Sequence, residues 1–411
     1  MQPRARCVRS LALSAMDDPL LRWRAEFPIV ERTNYQISNS LGAMPRRARE
    51  RLMEFADLWE TRGVRAWGDR WWNLQFEFAA SIERILGVAA NTVSMHQNVA
   101  MASQAILSCF AFESPRNRIV YSELNFPSVM YLYEQQVRRG AEIVRVPSGD
   151  GITIDTQRLC DAIDERTRLV PISHVLFRSG YIQDARAIVE KARRVGAFVV
   201  LDVFQSVGAL PLALADWGVH AAVGGALKYL CGGPGNCFLY VDPAERAALK
   251  PGFTGWAAHK DPFAFSTAGQ DWRDDGGRFL NGTPNVPALF AGIEGTKIVA
   301  EIGLPAIRAK SLRMTAKMLE RCDRHGFALR SPRAAEQRGN HVSIDVPFGY
   351  EICQVLNARD IVCDFRPGAG IRLSPHFYTR DDEAVAAVDA IAAIAASGEY
   401  RAFVGQPRKP G

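Results

Sequence analysis

No stretch of the 411-residue chain approaches the roughly 20 consecutive apolar residues that a helix needs to cross a bilayer, so a membrane-spanning role is not expected. Charge of one sign is also scarce. The formal net charge is only +6, with no run of five or six basic residues and no basic stripe interleaved with aromatics. Nucleic acid is therefore not expected as a partner. The eight cysteines (Cys7, Cys109, Cys160, Cys231, Cys237, Cys322, Cys353 and Cys363) form no C-x-x-C pair, and no histidines have zinc-site spacing. Free thiols in a reducing compartment fit this pattern better than a disulfide framework, and no metal is expected. Internal repeats and low-complexity linkers are lacking too. The Arg-rich N-terminus, MQPRARCVRSLALSA, has an apolar run too short and interrupted for a targeting peptide. Residues 1–18 are expected to form a disordered extension, and the protein to be cytoplasmic.

What remains is an ordinary enzyme-like balance, 48% hydrophobic and 23% charged, in a sequence long enough for two domains. PRRARERLMEFADLWET, from Pro45 to Thr61, has apolar residues at helical spacing, with Pro45 suited to a first turn. WWNLQFEFAASIERIL reads as a second amphipathic helix. From about Thr92 short apolar runs alternate with helices. RIVYSE, AEIVRVP, TRLVPISHV, AFVVLDV, HAAVGGA and CFLYV read as strands; SVMYLYEQQVRR and ARAIVEKARRV read as helices. Continuous Val/Ile/Leu runs separated by helices indicate a mostly parallel sheet covered on both faces. After about Pro284 a long helix leads to HVSIDV, DIVCDF and IRLSP as strands, then a last helix from about Asp381 to Ala395. The expected organisation is an N-terminal segment over 19–65 that joins the small domain and the active site. A large α/β domain then covers 66–284, and a smaller α+β domain 285–411.

Two positions in the large domain gain meaning together. AFVVLDV brings Asp202 to a strand's carboxyl end, where open α/β sheets bind ligands. In ALKYLCGGPG, Lys228 follows an apolar strand and precedes a glycine-rich loop. Alone, Asp202 reads as a helix cap and Lys228 as a solvated loop lysine. In the order Asp…Lys-Tyr-Leu…Gly-Gly-Pro-Gly they suit pyridoxal phosphate. That cofactor needs a lysine amine for its Schiff base and a carboxylate to keep the pyridine nitrogen protonated.

From about Tyr35 to Tyr378 the segments NSLGAMP, NFPS, SHVLFRSG, LDVFQSVGA, KYLCGGPG, GW with a following H-K-D-P-F, RFLNGTP and DFR…IRLSPHFY succeed one another. This set, in this order, resembles the class V, fold-type I pyridoxal-phosphate enzymes, and within them most of all the kynureninases. The resemblance implies an internal aldimine on Lys228, with Asp202 beneath the ring nitrogen and Gln205 near the ring oxygen. It implies that Phe126 stacks on the pyridine face and that Val99 and Ala100 offer backbone N–H groups to the phosphate. Ser173 or His174 would add a ring-edge hydrogen bond. Arg372 would grip the substrate carboxylate, with Arg366 nearby and Asn39 and Ser40 completing the pocket. Trp256, Asn281 and Thr283 would reach the phosphate of a neighbouring subunit's cofactor, which implies a homodimer.

Three positions depart from the kynureninase pattern. Leu227 stands in place of a tyrosine before the lysine, Val129 in place of an aspartate, and Gln205 in place of a histidine. Gln205 is closer to the cysteine desulfurases, but Cys363, within the apolar run DIVC, reads as a strand residue rather than a mobile nucleophile. The expected activity is that of a kynureninase-like lyase or hydrolase, cleaving a C–C or C–S bond in the side group of an α-amino acid. Three other readings stay open: an aminotransferase, an epimerase or desulfurase, and a non-catalytic binding protein.

Overall fold

The structure, a computed structural model, describes residues 18–408. Strand β1 (Asn34–Tyr35) precedes the seven strands of the main sheet. These are β2 (Val93–His96), β3 (Arg118–Ser122), β4 (Glu142–Val146), β5 (Thr167–Ser173), β6 (Phe198–Asp202), β7 (Ala221–Gly225) and β8 (Cys237–Val241). They lie in the order β2-β8-β7-β6-β5-β3-β4, and only β8 runs antiparallel to its neighbours. Every residue of β6, β7 and β8 is buried, which is why these segments read as unbroken apolar runs.

Successive strand residues face opposite sides of the sheet. Thus Val199 and Leu201 join one core with Ile188 and Val189 of helix Ala185–Arg194. Phe198 and Val200 join the other core with helices α3 (Val99–Leu107) and α4 (Pro127–Glu134). Helices α1 (Arg46–Arg62) and α2 (Trp72–Leu86) pack on helix Val286–Ile302. A smaller antiparallel sheet is built from β9 (Ala328–Leu329), β10 (Val342–Asp345), β12 (Asp364–Arg366) and β13 (Gly370–Leu373), in the order β12-β13-β10-β9. Helices Leu304–Arg324, Gly349–Ala358 and Asp381–Ser397 cover it around a separate apolar core. The architecture is thus the expected one, a mostly parallel α/β domain with a smaller α+β domain.

The structure differs from the sequence reading in several places. DIVCDF is two strands, not one. Asp360 takes a positive φ of 58° before β11 (Ile361–Val362), which pairs in parallel with β1, and beyond Cys363 β12 belongs to the smaller sheet. The long helix after Pro284 breaks at Gly303, whose φ of 83° ends one helix. Pro305 lies in the first turn of the next, where its missing N–H costs nothing. The edge strand β2, the short strands β1 and β9 and the helix Gly349–Ala358 were not among the expected elements.

The expected extension lies outside the described residues except for Asp18, which is held in place. Its carboxylate accepts the Leu20 N–H at 3.0 Å and lies 2.9 Å from Lys310 Nζ. The segment that follows runs along the seam between the two sheets. Ser374 N–H donates to the Gln36 carbonyl at 2.7 Å and Gly42 N–H to the Leu227 carbonyl at 2.9 Å. Among the described residues no helix is long and apolar enough to cross a membrane.

Candidate active site

β6 and β7 are adjacent and parallel, so their carboxyl ends open on the same edge of the sheet. Asp202 is the last residue of β6, and Lys228 lies in the turn just beyond β7. Asp202 Oδ1 accepts the Phe204 N–H at 2.9 Å, which turns the backbone and brings the Phe204 ring to the edge. Lys228 Nζ lies 4.6 Å from the Phe204 ring centroid and 5.8 Å from that of Phe126. Gly225 has to be small here, because a Cβ would meet Phe204 Cζ at 2.5 Å. Phe126 is 41% exposed and meets the Phe177 ring edge-on at 5.2 Å. One face of its ring is therefore available to a planar ligand.

The electrostatics follow from burial. Desolvation, helped by the Arg372 charge and opposed by Asp202 and Asp364, pushes the Lys228 amine down to about 7. Desolvation pushes the Asp202 carboxyl up, opposed by the Phe204 N–H and by Lys228. The pair therefore holds an amine that can be neutral near pH 7 beside a carboxyl that gains from a cationic partner.

Several expected residues gather around them. Gln205 Nε2 donates to the Asn39 carbonyl at 3.0 Å. Gln205 Oε1 and both side-chain polar atoms of Asn39 are buried without a partner among the described residues. Such groups are costly unless a ligand or water pairs them. Ser40 follows in the same turn, its N–H bonded to the Ile37 carbonyl at 2.9 Å. Ser173 closes β5 opposite Asp202 and donates its N–H to Asn125 Oδ1 at 3.2 Å. His174 donates its backbone N–H to the Asp202 carbonyl at 2.8 Å. Its ring packs edge-on against Trp217 at 5.3 Å, and burial pushes it down to about 4, so it is neutral. At the start of α3, Asn98 caps the Met101 N–H at 3.0 Å. The N–H groups of Val99 and Ala100 lack helical partners there and open outward, the arrangement that receives phosphate.

Three expected residues form a second group. Trp256 stacks on Trp72 at 5.1 Å, and Ala257 N–H donates to the Asn281 carbonyl at 3.1 Å. Asn281 and Thr283 line a small cavity of about 50 Å³ together with Gln97 and Met101, at the start of α3. They approach the helix that would hold the phosphate, not Lys228.

Arg372 is more engaged than a free carboxylate grip. Register places Asp364 directly opposite it, and Arg372 Nε and Nη2 lie 2.7 and 2.5 Å from the two Asp364 oxygens. Nη1 donates to the Phe177 carbonyl at 2.6 Å. Arg366 Nη2 also reaches Asp364 at 3.1 Å, so two guanidinium groups share one carboxylate. Cys363 is buried with its sulfur 3.7 Å from that of Cys353, and the contact and burial push its thiol up. Val129 is packed into the apolar core on α4. The residue the sequence reading missed is Phe204, whose only signal was its place two residues after a strand-end aspartate.

A lysine amine near neutrality, a strand-end carboxyl, an exposed aromatic face, an open helix start and unpaired buried amides are what pyridoxal phosphate requires, and these residues fit it. Comparison with known proteins agrees. The family model for aminotransferase class-V matches residues 43–363. The chain belongs to the class V aminotransferase family. Within it the chain is similar to the kynureninase of Burkholderia mallei, 31% identical over 94% of this chain and 95% of that one. The kynureninase of Geobacillus thermodenitrificans is 29% identical over 94% of each. This class V protein is therefore a pyridoxal-phosphate-dependent, kynureninase-like enzyme. In fold it is similar to the cysteine desulfurase of Thermococcus onnurineus, with a TM-score of 0.80, 18% identity, and 92% of this chain and 98% of that one covered. A cystine C–S lyase bound to cysteine persulfide also gives 0.80, at 19% identity over 89% of this chain and 99% of that one. The fold is fold-type I.

Proposed function

We propose that this enzyme cleaves a C–C or C–S bond in the side group of an α-amino acid, with Lys228 carrying the cofactor and then moving the α-proton. The observation that supports it is the convergence of Lys228 and Asp202 at the ends of two adjacent parallel strands. When bound, the cofactor supplies an electron sink for the charge left at Cα. A lysine amine held at about 7 is suited to take a proton from Cα and return it to the product. Asp202 would keep a proton on the cofactor's ring nitrogen, and Gln205 and Ser173 would bond the ring's edge. Phe126 would hold the ring, and the Val99 and Ala100 N–H groups would receive the phosphate. Arg372, with Arg366 nearby, would hold the substrate carboxylate, with Asn39 and Ser40 beside it.

A homodimer in the cytoplasm is part of this reading. Trp256 is flanked by Phe263 and Phe265, 52% and 69% exposed, an apolar face suited to a second copy. Asn281 and Thr283 would then serve the partner's phosphate site.

The test is product analysis. The cofactor-loaded enzyme is incubated with L-kynurenine or L-cystine in the absence of any 2-oxo acid. Release of alanine, pyruvate or sulfide supports the lyase reading. Turnover that requires a 2-oxo acid and ends in an exchanged amino group replaces it with an aminotransferase. An absorbance band that Lys228→Ala leaves unchanged removes Lys228 from the centre of the site.

A further inference from the structure

Tyr229 follows Lys228 directly, yet its side chain is buried in the seam between the two sheets, among Val175, Ala209 and Leu210. Two bonds cross that seam from it. Its hydroxyl pairs with Ser374 Oγ at 2.9 Å, and its carbonyl accepts from His376 Nε2 at 2.8 Å. The His376 ring stands edge-on to the Tyr229 ring at 5.4 Å.

Ser374 is well fixed. Its N–H donates to the Gln36 carbonyl at 2.7 Å, and its carbonyl accepts from Ser38 N–H at 3.2 Å. It stands directly after β13, the strand that presents Arg372. On the other side Gly208, at a φ of 85°, presses its backbone against the Tyr229 carbonyl, where a Cβ would come within 2.8 Å. The turn that carries Lys228 is thus tied to the strand that carries Arg372 through one short path of buried, low-dielectric hydrogen bonds.

We propose that Tyr229 is a positioning residue: its bonds to Ser374 and His376 fix the Lys228 amine relative to Arg372, so that the lysine and the arginine are set as one unit. This rests on the reading of Lys228 as the cofactor lysine. The Arg372 charge acts on the Lys228 nitrogen and disfavours its protonated form. Releasing the tie lets that nitrogen move from the guanidinium and hold its proton to higher pH.

The experiment is a pH titration of the cofactor absorbance band in the loaded enzyme, with thermal unfolding measured alongside. Tyr229→Phe keeps the ring and removes only the hydroxyl; Ser374→Ala removes the other end of the bond; Ser374→Thr restores a hydroxyl. The titration midpoint is expected to rise by about half a pH unit in Tyr229→Phe and in Ser374→Ala. It rises no further when both are combined, because they break one bond, and it returns toward wild type in Ser374→Thr. Should Tyr229→Phe fail to fold, the two Ser374 variants carry the comparison. Unmoved midpoints with lowered unfolding temperatures make the bond merely structural and overturn the proposal. A wild-type protein with no band sensitive to Lys228→Ala also overturns it, by removing the lysine reading beneath it.

Discussion

Arg372 and Asp364 face each other across β12 and β13 in a two-pronged ion pair, with side chains 3% and 0% exposed. A buried charge pair is tolerated only while both partners are present, because the survivor of a broken pair has lost its water without compensation. Asp364→Asn is therefore expected to lower the free energy of unfolding by about 3 kcal/mol, read from urea titration. An unchanged urea midpoint would show that the Phe177 carbonyl is enough to compensate the Arg372 guanidinium.

Asp202→Asn tests the other end of the site. An amide has nearly the same shape but cannot keep the cofactor's ring nitrogen protonated, so the electron sink fails while the pocket stays intact. Exchange of an amino acid's α-proton with deuterated water, followed by NMR, is expected to slow by at least about a hundredfold. Wild-type exchange in the variant would take Asp202 out of the chemistry.

Lys228 ties stability to pH. Its ordinary value of 10.5 applies to the unfolded state, and burial and Arg372 lower it to about 7 in the folded one. Between these values the unfolded state binds more protons, so the cofactor-free protein gains stability as pH rises from about 7 toward 10.5. Below about 7 both states are protonated and the effect is flat. Lys228→Met should therefore be more stable than wild type at pH 7, by an advantage that shrinks toward pH 10. Urea midpoints at three pH values decide it; a constant difference would refute the shift.

Gly42 is pinned by the lysine loop. A Cβ there would lie 2.0 Å from the Lys228 carbonyl oxygen and 2.9 Å from Cys231 Cα, both backbone atoms that cannot step aside alone. Gly42→Ala is expected to weaken cofactor binding at least about tenfold, whereas Gly149→Ala, which meets nothing within 4 Å, should match wild type. Equal binding by the two variants would contradict the close approach.

Asp18 anchors the first described residues. Burial acts to raise its carboxyl, but the bonds and charge of Lys310, with Leu20 and Arg313, bring it below its ordinary value. The stability this contributes is full above the ordinary value of 3.8 and is lost as pH falls through the lower, folded one. Asp18→Asn should cost about 1 kcal/mol at pH 7 and nothing in strong acid, by thermal or urea unfolding. A cost that persists in strong acid would rule out the charge as its source.

Much of the candidate site was legible because the residues proposed for it fall at strand ends. An unbroken apolar run closing on Asp202, and a lysine before Gly-Gly-Pro-Gly, carry their signal in residue type and order. Phe204 was not legible, since no periodicity says which way a side group leaves a turn. That direction is set by the Asp202 carboxylate accepting the Phe204 N–H. The occupation of Arg372 was hidden for a different reason. DIVCDF looks like one strand, and only the break at Cys363 puts Asp364 opposite the arginine. Cross-strand register of this kind arises from tertiary pairing and leaves no local mark.

The pairing of β1 with β11 bears on how the enzyme is made. Asn34 and Tyr35 are among the first described residues, yet their partners Ile361 and Val362 lie near the far end of the sequence. During synthesis the N-terminal segment leaves the ribosome long before the strand that receives it. The turn holding Asn39 and Ser40 can settle on the lysine loop only after the main sheet is built. A polypeptide truncated before residue 361 would lack the strand that receives β1, and with it the pairing that leads into the turn of Asn39 and Ser40.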